Sequence, residues 1–351
     1  MESTSPSPAT SQMRAEIAQQ PAALRRTLGA LFLRAEEITA IADGSRQVLL
    51  IARGTSDNAA VYGSYLIQVH AGRIATLASP SIATVYRSRL DLSGVLAVAL
   101  SQSGRTEEIV ATLAWARDCG ARTVAITNAE GSPLAEAADV ALITAAGTER
   151  AVPATKTFTT QLAALAVLSI ALGASLDTGE LRAMPDEIER LLSLPMDLDP
   201  IVTELATVAG VVVSGRGFAY SAALELALKL KEACYLHAMG LSYADLLHGP
   251  IAVVDAKTPA IVVTASAGPT LDGSIALARR VTAAGARVYG IGGGPAAAQA
   301  SAHTLPGPRL PEWLAPIGLI VPGQLLTEAL ARRLGIDPDN PRGLSKVTQT
   351  A

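Results

Sequence analysis

The sequence is poor in several things that would each have pointed to a function. Only 3% of its 351 residues are aromatic, which leaves little with which to stack nucleic-acid bases. Its charge is nearly balanced, with 28 Lys+Arg against 31 Asp+Glu and a formal net charge of −3, so the basic surface that phosphate backbones require is missing. There are two cysteines, Cys119 and Cys234, and no CxxC pair. With four histidines (His70, His237, His248 and His303) no stretch has zinc-ligand spacing, so no metal is expected. Low cysteine usage points to a reducing compartment and a cytoplasmic protein. The Ser/Thr/Pro-rich start lacks the basic and apolar blocks of a secretory signal. The longest uncharged helical stretch, residues 157–176, is strongly apolar only over residues 162–174, shorter than a membrane span. It reads as a buried helix, and no membrane partner is expected.

What is present is an apolar chain, 50% hydrophobic, long enough for two domains or one duplicated domain. Lysine is scarce: Lys156, Lys229, Lys231, Lys257 and Lys346 stand against 23 arginines. A lysine amine can lose its proton or form an imine and a guanidinium cannot, so a chain that otherwise uses arginine can be keeping lysine where an amine is needed.

Short apolar runs alternate with helical stretches. Val48-Leu49-Leu50-Ile51-Ala52 reads as a strand ending in Arg53-Gly54-Thr55-Ser56, followed by a helix over about residues 58–71. Val95 to Leu100 is a second strand, ending in Ser101-Gln102-Ser103-Gly104, with a helix to Asp118. Thr123 to Thr127 is a third. Strand, turn and helix in this order predict βαβ units and a parallel sheet covered on both faces. The pattern then repeats. Arg53-Gly54 matches Arg216-Gly217 at an offset of 163, Gly104-Arg105-Thr106 falls on Gly268-Pro269-Thr270 at 164, and Gly120-Ala121-Arg122 falls on Gly285-Ala286-Arg287 at 165. Two α/β subdomains of one fold are predicted. The boundaries are a leader over residues 1–42 with a helix after Pro21, a first subdomain over 43–176, a Pro-punctuated connection over 177–200, a second subdomain over 201–336 and a tail over 337–351.

Ser101-Gln102-Ser103-Gly104-Arg105-Thr106 leaves a strand and opens a helix. Free N–H groups and the helix dipole suit an anion there, hydroxyls add donors, and glycine allows close approach. Thr55 and Ser56 end the neighbouring strand, where open α/β sheets bind ligands. A phosphate monoester fits better than a simple helix cap, which needs fewer donors. The second copy, Ser266-Ala267-Gly268-Pro269-Thr270, has lost most of them, so one anion site per chain is expected. No GxGxxG follows a strand with an acidic partner, and Gly292-Gly293-Gly294-Pro295 lacks the spacing, which disfavours a nicotinamide cofactor.

Glu225, Lys229 and Glu232 are spaced i, i+4, i+7 on one predicted helix face. They read either as a solvated salt-bridge stripe or as a carboxylate beside a lysine, able to move a proton between adjacent carbons. His248, before Gly249-Pro250, lies at an element end; it reads as a structural histidine or as one that protonates a sugar oxygen. Lys346, read alone, is a solvated tail lysine.

Together the six segments Arg53-Gly54-Thr55-Ser56, Ser101-Gln102-Ser103-Gly104, Ala154-Thr155-Lys156-Thr157-Phe158-Thr159-Thr160-Gln161, Lys229-Leu230-Lys231-Glu232, His248-Gly249-Pro250 and Asn340-Pro341-Arg342 through Lys346 resemble the SIS (sugar isomerase) family, in particular the isomerase half of glucosamine-6-phosphate synthase. The resemblance covers nearly the whole chain. It implies two tandem SIS subdomains, each a flavodoxin- or Rossmann-like three-layer unit, and a homodimer with a sugar-phosphate site at the subunit interface. By the same resemblance, Thr55, Ser56, Ser101, Gln102, Ser103 and Thr106 would hold the phosphate. Val152 and Ala154 would touch the sugar through backbone groups. Glu232 would move a proton between C1 and C2, assisted by Lys229. His248, from the partner subunit, would open the ring, and Lys346 would bind the open-chain sugar or form an imine with it. No cofactor is implied.

The departures from that half-enzyme concern Glu2 where the synthase has a cysteine nucleophile, Arg53 where it has cysteine, Ser345 where it has alanine, and Met239 and Ala244 between the glutamate and the histidine. They imply a chain without a glutaminase domain. The leader and Arg53-Gly54-Thr55-Ser56 are similar to stand-alone SIS-type glucosamine-6-phosphate deaminases. The expected activity is therefore conversion of glucosamine 6-phosphate to fructose 6-phosphate and ammonia. An aldose–ketose isomerase, a fructosamine-phosphate deglycase and a sugar-phosphate sensor without turnover are the rivals. Retention of Glu232, His248 and Lys346 together speaks against the sensor.

Overall fold

The computed structural model describes residues 10–346. Residues 1–9, in the Ser/Thr/Pro-rich start, and 347–351, the end of the tail, lie outside the described residues.

Two five-stranded sheets form the scaffold. The first holds β1 (Gln47–Ile51), β2 (Ile74–Leu77), β3 (Val95–Leu100), β4 (Arg122–Thr127) and β5 (Val140–Ile143) in the order β2-β1-β3-β4-β5, every pairing parallel. The second holds β6 (Gly210–Gly215), β7 (His237–Ser242), β8 (Ala260–Thr264), β9 (Val288–Gly292) and β10 (His303–Leu305) in the order β10-β9-β8-β6-β7, again all parallel. Numbered within its own half, each sheet reads 2-1-3-4-5. The duplication seen in the sequence is thus a duplication of topology, with two tandem α/β subdomains. Left-handed glycines recur at the same offsets: Gly54 and Gly217, Gly104 and Gly268, Gly120 and Gly285.

The strands are apolar throughout because both of their faces are covered. On β3, Leu96, Val98 and Leu100 face a core shared with the second subdomain, while Ala97 and Ala99 join an outer cluster with Ile109 and Leu113. This is the period-2 alternation of a strand, with both sets buried. The shared core also takes Tyr62, Leu66 and Leu165 from the first half and Phe218, Leu226 and Leu326 from the second, so the halves meet across apolar helices. The stretch read as a buried helix is helix Lys156–Ala171, and its residues 156–169 are all buried. Among the described residues no helix is long and apolar enough to cross a membrane.

Two segments gain local detail. The leader forms three helices, Gln12–Ala18, Gln20–Phe32 and Ala35–Ala42, and Pro21 lies inside the first turn of the second. There its missing N–H is one that a helix start leaves unused. The Pro-punctuated connection is largely the helix Thr178–Ser193, which contains Pro185. Its start is fixed by Asp177, whose carboxylate accepts from Gly179 N at 2.7 Å.

Candidate active site

In each sheet the chain reverses its winding between the first and third strands, and the strand ends splay there to leave a crevice. In the first subdomain this crevice opens between β1 and β3, which pair along Gln47–Ile51 and Val95–Ala99. Arg53 to Ser56 leave one strand and Ser101 to Thr106 leave the other. The first segment, and Ser101, Gln102, Ser103 and Thr106 of the second, line a cavity of about 310 Å³ together with Val152, Ala154, Lys229, Glu232, Ser345 and Lys346. Five segments distant in sequence converge here, and eleven of the twelve residues singled out from the sequence are among its walls.

The 101–106 loop is shaped to present donors. The carbonyl of Gln102 is taken by Asn128 N at 3.1 Å and that of Gly104 by Leu134 N at 3.0 Å. Loop acceptors are thereby committed to protein partners. Ser101 Oγ accepts from Gly104 N at 3.2 Å and Ser103 Oγ from Arg105 N at 3.3 Å. Each hydroxyl keeps its own hydrogen for a ligand. Ser56 Oγ accepts from Gln161 Nε2 at 3.0 Å, so its own hydrogen is likewise left to donate. Gly104 adopts a φ of +62° and packs so tightly that a Cβ there would lie 2.1 Å from Ser132 Oγ. Arg53 chelates Glu108 at 3.0 and 3.1 Å, which places a guanidinium at the mouth of the loop.

Helix Ala219–Cys234 brings a charged face to the cavity. Lys229, 1% exposed, lies between the carboxylates of Glu225, at 3.4 Å, and Glu232, with which it forms a direct hydrogen bond, and it also donates to Thr55 Oγ1 at 3.1 Å. The spacing i, i+3 and i, i+4 brings all three to one helix face. That face is not the solvated stripe the pattern also allowed. Glu225 is fully buried and accepts from Thr55 Oγ1 at 2.9 Å and Asn58 Nδ2 at 2.8 Å. Burial pushes its carboxyl up to about 7. Burial alone would lower the Lys229 amine, but the two carboxylates outweigh it and the net shift is upward, which keeps an ammonium in place. Glu232, whose side chain is 22% exposed, is the carboxylate that faces the cavity. A carboxylate beside a fixed ammonium can take a proton from carbon next to a carbonyl while the cation offsets the charge that develops.

Lys346 is not the solvated tail lysine that it resembles in isolation. Its amine reaches Glu149 Oε2 at 2.9 Å and the Ala151 carbonyl at 2.7 Å, at the edge of the cavity. Val152 N–H is taken by the Asp339 carbonyl at 2.8 Å, so it is not available to a ligand. His248 is exposed at the end of helix Tyr243–Leu247, after edge strand β7, and is absent from the walls of the cavity. Sequence reasoning missed Glu149, and it quoted Gln161 and Glu225 without their roles. Glu149 has no local signal. Gln161 has one, a lone amide in an apolar buried helix. Among the described residues no group of three or more His, Cys, Asp and Glu side chains is arranged to hold a metal.

In the second subdomain a carboxylate of the chain lies against the corresponding loop. Thr270, the counterpart of Thr106, donates to Glu312 Oε1 at 2.8 Å, and a Cβ on Gly268 would lie 2.5 Å from Glu312 Oε2. The threonine hydroxyl that lines the cavity in the first subdomain is here spent on a carboxylate of the chain.

Comparison with known proteins agrees with this architecture. A family model described as the SIS domain matches residues 43–171 and again 204–310. A glutamine–fructose-6-phosphate aminotransferase (isomerizing) from Pyrococcus horikoshii is 34% identical over 342 residues, covering 95% of this chain and 57% of the relative. The chain thus spans little more than half the length of that protein. The C-terminal domain of a glucosamine-fructose-6-phosphate aminotransferase from Francisella tularensis superposes with a TM-score of 0.87 at 28% identity, covering 96% of this chain and all of that one. A glucosamine-6-phosphate deaminase from Thermotoga maritima shares the fold, with a TM-score of 0.77 at 23% identity over 97% of this chain and all of that one. With two matched domains, two sheets of one topology and a cavity at the first switch point, the chain belongs to the SIS domain family.

Proposed function

We propose that the chain is a sugar-phosphate deaminase that converts glucosamine 6-phosphate and water to fructose 6-phosphate and ammonia. The observation that carries this reading is the meeting, in one cavity, of a hydroxyl-rich anion loop with a carboxylate held by a buried lysine. The relative from Pyrococcus horikoshii is named for chemistry on fructose 6-phosphate, and the reaction proposed here joins the same ketose phosphate to its amino sugar.

In this reading Thr55, Ser56, Ser101, Gln102, Ser103 and Thr106 bind the phosphate. Glu232 removes the C2 proton of the open-chain amino aldose, and the electron pair moves through C1 to give the C1–C2 enolate, whose oxygen takes a proton from water. Returning the carbon-bound proton to C1, with loss of a nitrogen proton to water, leaves an imine at C2. Water adds to that carbon, the C–N bond breaks, and ammonia departs. Lys229 fixes the carboxylate and offsets the charge on the enolate oxygen. Lys346 contacts the open-chain sugar. The direct test is ammonium release from glucosamine 6-phosphate, followed with fructose 6-phosphate formation. Equal rates of both support the deaminase. Sugar interconversion without ammonium release would replace it with an aldose–ketose isomerase.

Ring opening is assigned to His248 from a second copy of the chain, in a homodimer. Its exposure outside this chain's own cavity supports that arrangement. Mixing Glu232→Gln with His248→Ala subunits tests it. Mixed dimers regain one intact site if the histidine crosses the interface, and none if it acts within its own chain.

A further inference from the structure

We propose that Glu149 is a positioning residue that acts through Lys346, holding the tail amine as a fixed cation at the edge of the cavity. The inference rests on the site reading above.

Glu149 is fully buried, so its charge has to be met by donors from the chain. It accepts from Thr155 N at 2.9 Å, Thr155 Oγ1 at 3.3 Å, Thr157 N at 3.1 Å, Thr157 Oγ1 at 2.5 Å and Lys346 Nζ at 2.9 Å. These donors saturate a carboxylate. The Thr155-Lys156-Thr157 segment, which stood out in the sequence without a role, thereby acquires one. Of the three Lys346 protons, Glu149 and the Ala151 carbonyl take two, which leaves one for a ligand.

The frame on either side of this pair is held independently. Glu16, on the first leader helix, accepts from Arg150 N at 2.5 Å and Ala151 N at 3.2 Å, which fixes the loop. Gln12 N and Met13 N donate to the Asp339 carboxylate at 2.8 and 2.7 Å, which fixes the tail. The leader therefore holds loop and tail side by side, and the Glu149–Lys346 pair sets the final reach of the amine. Burial would raise the Glu149 carboxyl, but the lysine and the hydrogen bonds outweigh it and hold it below its ordinary range. Glu149 is accordingly a poor acceptor for the lysine proton. Its work is to hold a charged amine, not to deprotonate it.

The test compares the wild-type chain with Glu149→Gln, Glu149→Asp, Lys346→Met and the Glu149→Gln/Lys346→Met double variant. The first readout needs no substrate: the rate at which an acylating reagent modifies Lys346, read by mass spectrometry. Freed from its pair, the amine should react on the order of 10-fold faster in Glu149→Gln, with Glu149→Asp between it and the wild type. On glucosamine 6-phosphate, Glu149→Gln should lose about 10–100-fold in kcat/KM, and in the double variant it should add less than about 2-fold to Lys346→Met. If Glu149→Gln does not fold, Thr157→Val, which removes one donor from the carboxylate, should shift labelling the same way by less. Unchanged Lys346 labelling in a folded Glu149→Gln protein, or additive losses in the double variant, would overturn the proposal. A labelling response as expected, in a wild type that releases no ammonium, would leave the clamp standing and reject the deaminase reaction.

Discussion

Substituting Gly104 with alanine tests the shape of the anion loop from two independent directions. The residue has a φ of +62°, where an L side chain costs about 1–2 kcal/mol. Its added Cβ would also lie 2.1 Å from Ser132 Oγ, 2.6 Å from Ser132 Cβ and 3.0 Å from Thr127 Oγ1. Overpacking of this kind costs a further ~1–3 kcal/mol. The expected loss of stability is therefore about 2–5 kcal/mol. Gly72, just past the C-terminal end of helix Thr55–His70, provides the control. Its φ is also +62°, but nothing lies within 4 Å of a Cβ there, so Gly72→Ala should show the dihedral cost alone. Reduced freedom of the unfolded chain offsets some of that, leaving about 1 kcal/mol. Adding Ser132→Gly to Gly104→Ala removes both colliding Ser132 atoms. Ser132 caps the helix Pro133–Ala137, but glycine is tolerated at such a position at a cost of a few tenths of a kcal/mol, so most of the collision energy should return. Chemical denaturation gives the three stabilities, and titration with inorganic phosphate reads the loop itself. Phosphate should bind Gly104→Ala more weakly than wild type. A Gly104→Ala variant no less stable than Gly72→Ala, or no recovery on adding Ser132→Gly, would refute the packing argument.

Two further outcomes concern the charged face of the helix Ala219–Cys234. Glu225 titrates near 7 in the folded chain against 4.5 for a free carboxyl, so the native state binds this proton more tightly than the unfolded one. Its contribution to stability is then present in full below about pH 4.5 and falls as pH rises through about 7, by on the order of 3 kcal/mol. Denaturation across that range should show the decline, and Glu225→Gln should flatten it. Lys229→Met leaves the buried Glu225 and the adjacent Glu232 without their ammonium. It should destabilise the fold by about 3–5 kcal/mol in denaturant titrations. A loss below about 1 kcal/mol would mean that the carboxylates are neutral or solvated instead.

The loops at the switch point were readable because strand, turn and helix signals are local. Ser101 to Thr106 and Thr55-Ser56 each follow an apolar run and precede a helical pattern, and parallel topology brings their ends together. Glu225, Lys229 and Glu232 were readable as a face but not as a buried one. Their burial comes from contacts with Thr55 and Asn58 on another helix, about 170 residues away. The Glu149–Lys346 pair spans 197 positions and leaves no trace in the spacing of either residue. The leader reads as an appendage, yet Glu16 and the backbone of Gln12 and Met13 hold both loop and tail. Glu312 lies 42 residues from the threonine whose hydroxyl it takes, so only the loss of hydroxyls around Gly268 was legible in the second copy. In each case the missing information is a tertiary contact that overrides the local reading of a charge as solvated.

The central claim is that Glu232 moves a proton between neighbouring carbons of a sugar phosphate bound in this cavity. Incubating the chain with fructose 6-phosphate or glucosamine 6-phosphate in deuterium oxide, and following the C1 and C2 positions by NMR, tests it whichever way the overall reaction runs. The wild type should incorporate deuterium at these carbons. Glu232→Gln should lose at least about 100-fold of that exchange while still binding the sugar phosphate. Exchange that survives in Glu232→Gln, or a wild type that binds the sugar phosphate and exchanges nothing, would contradict the account.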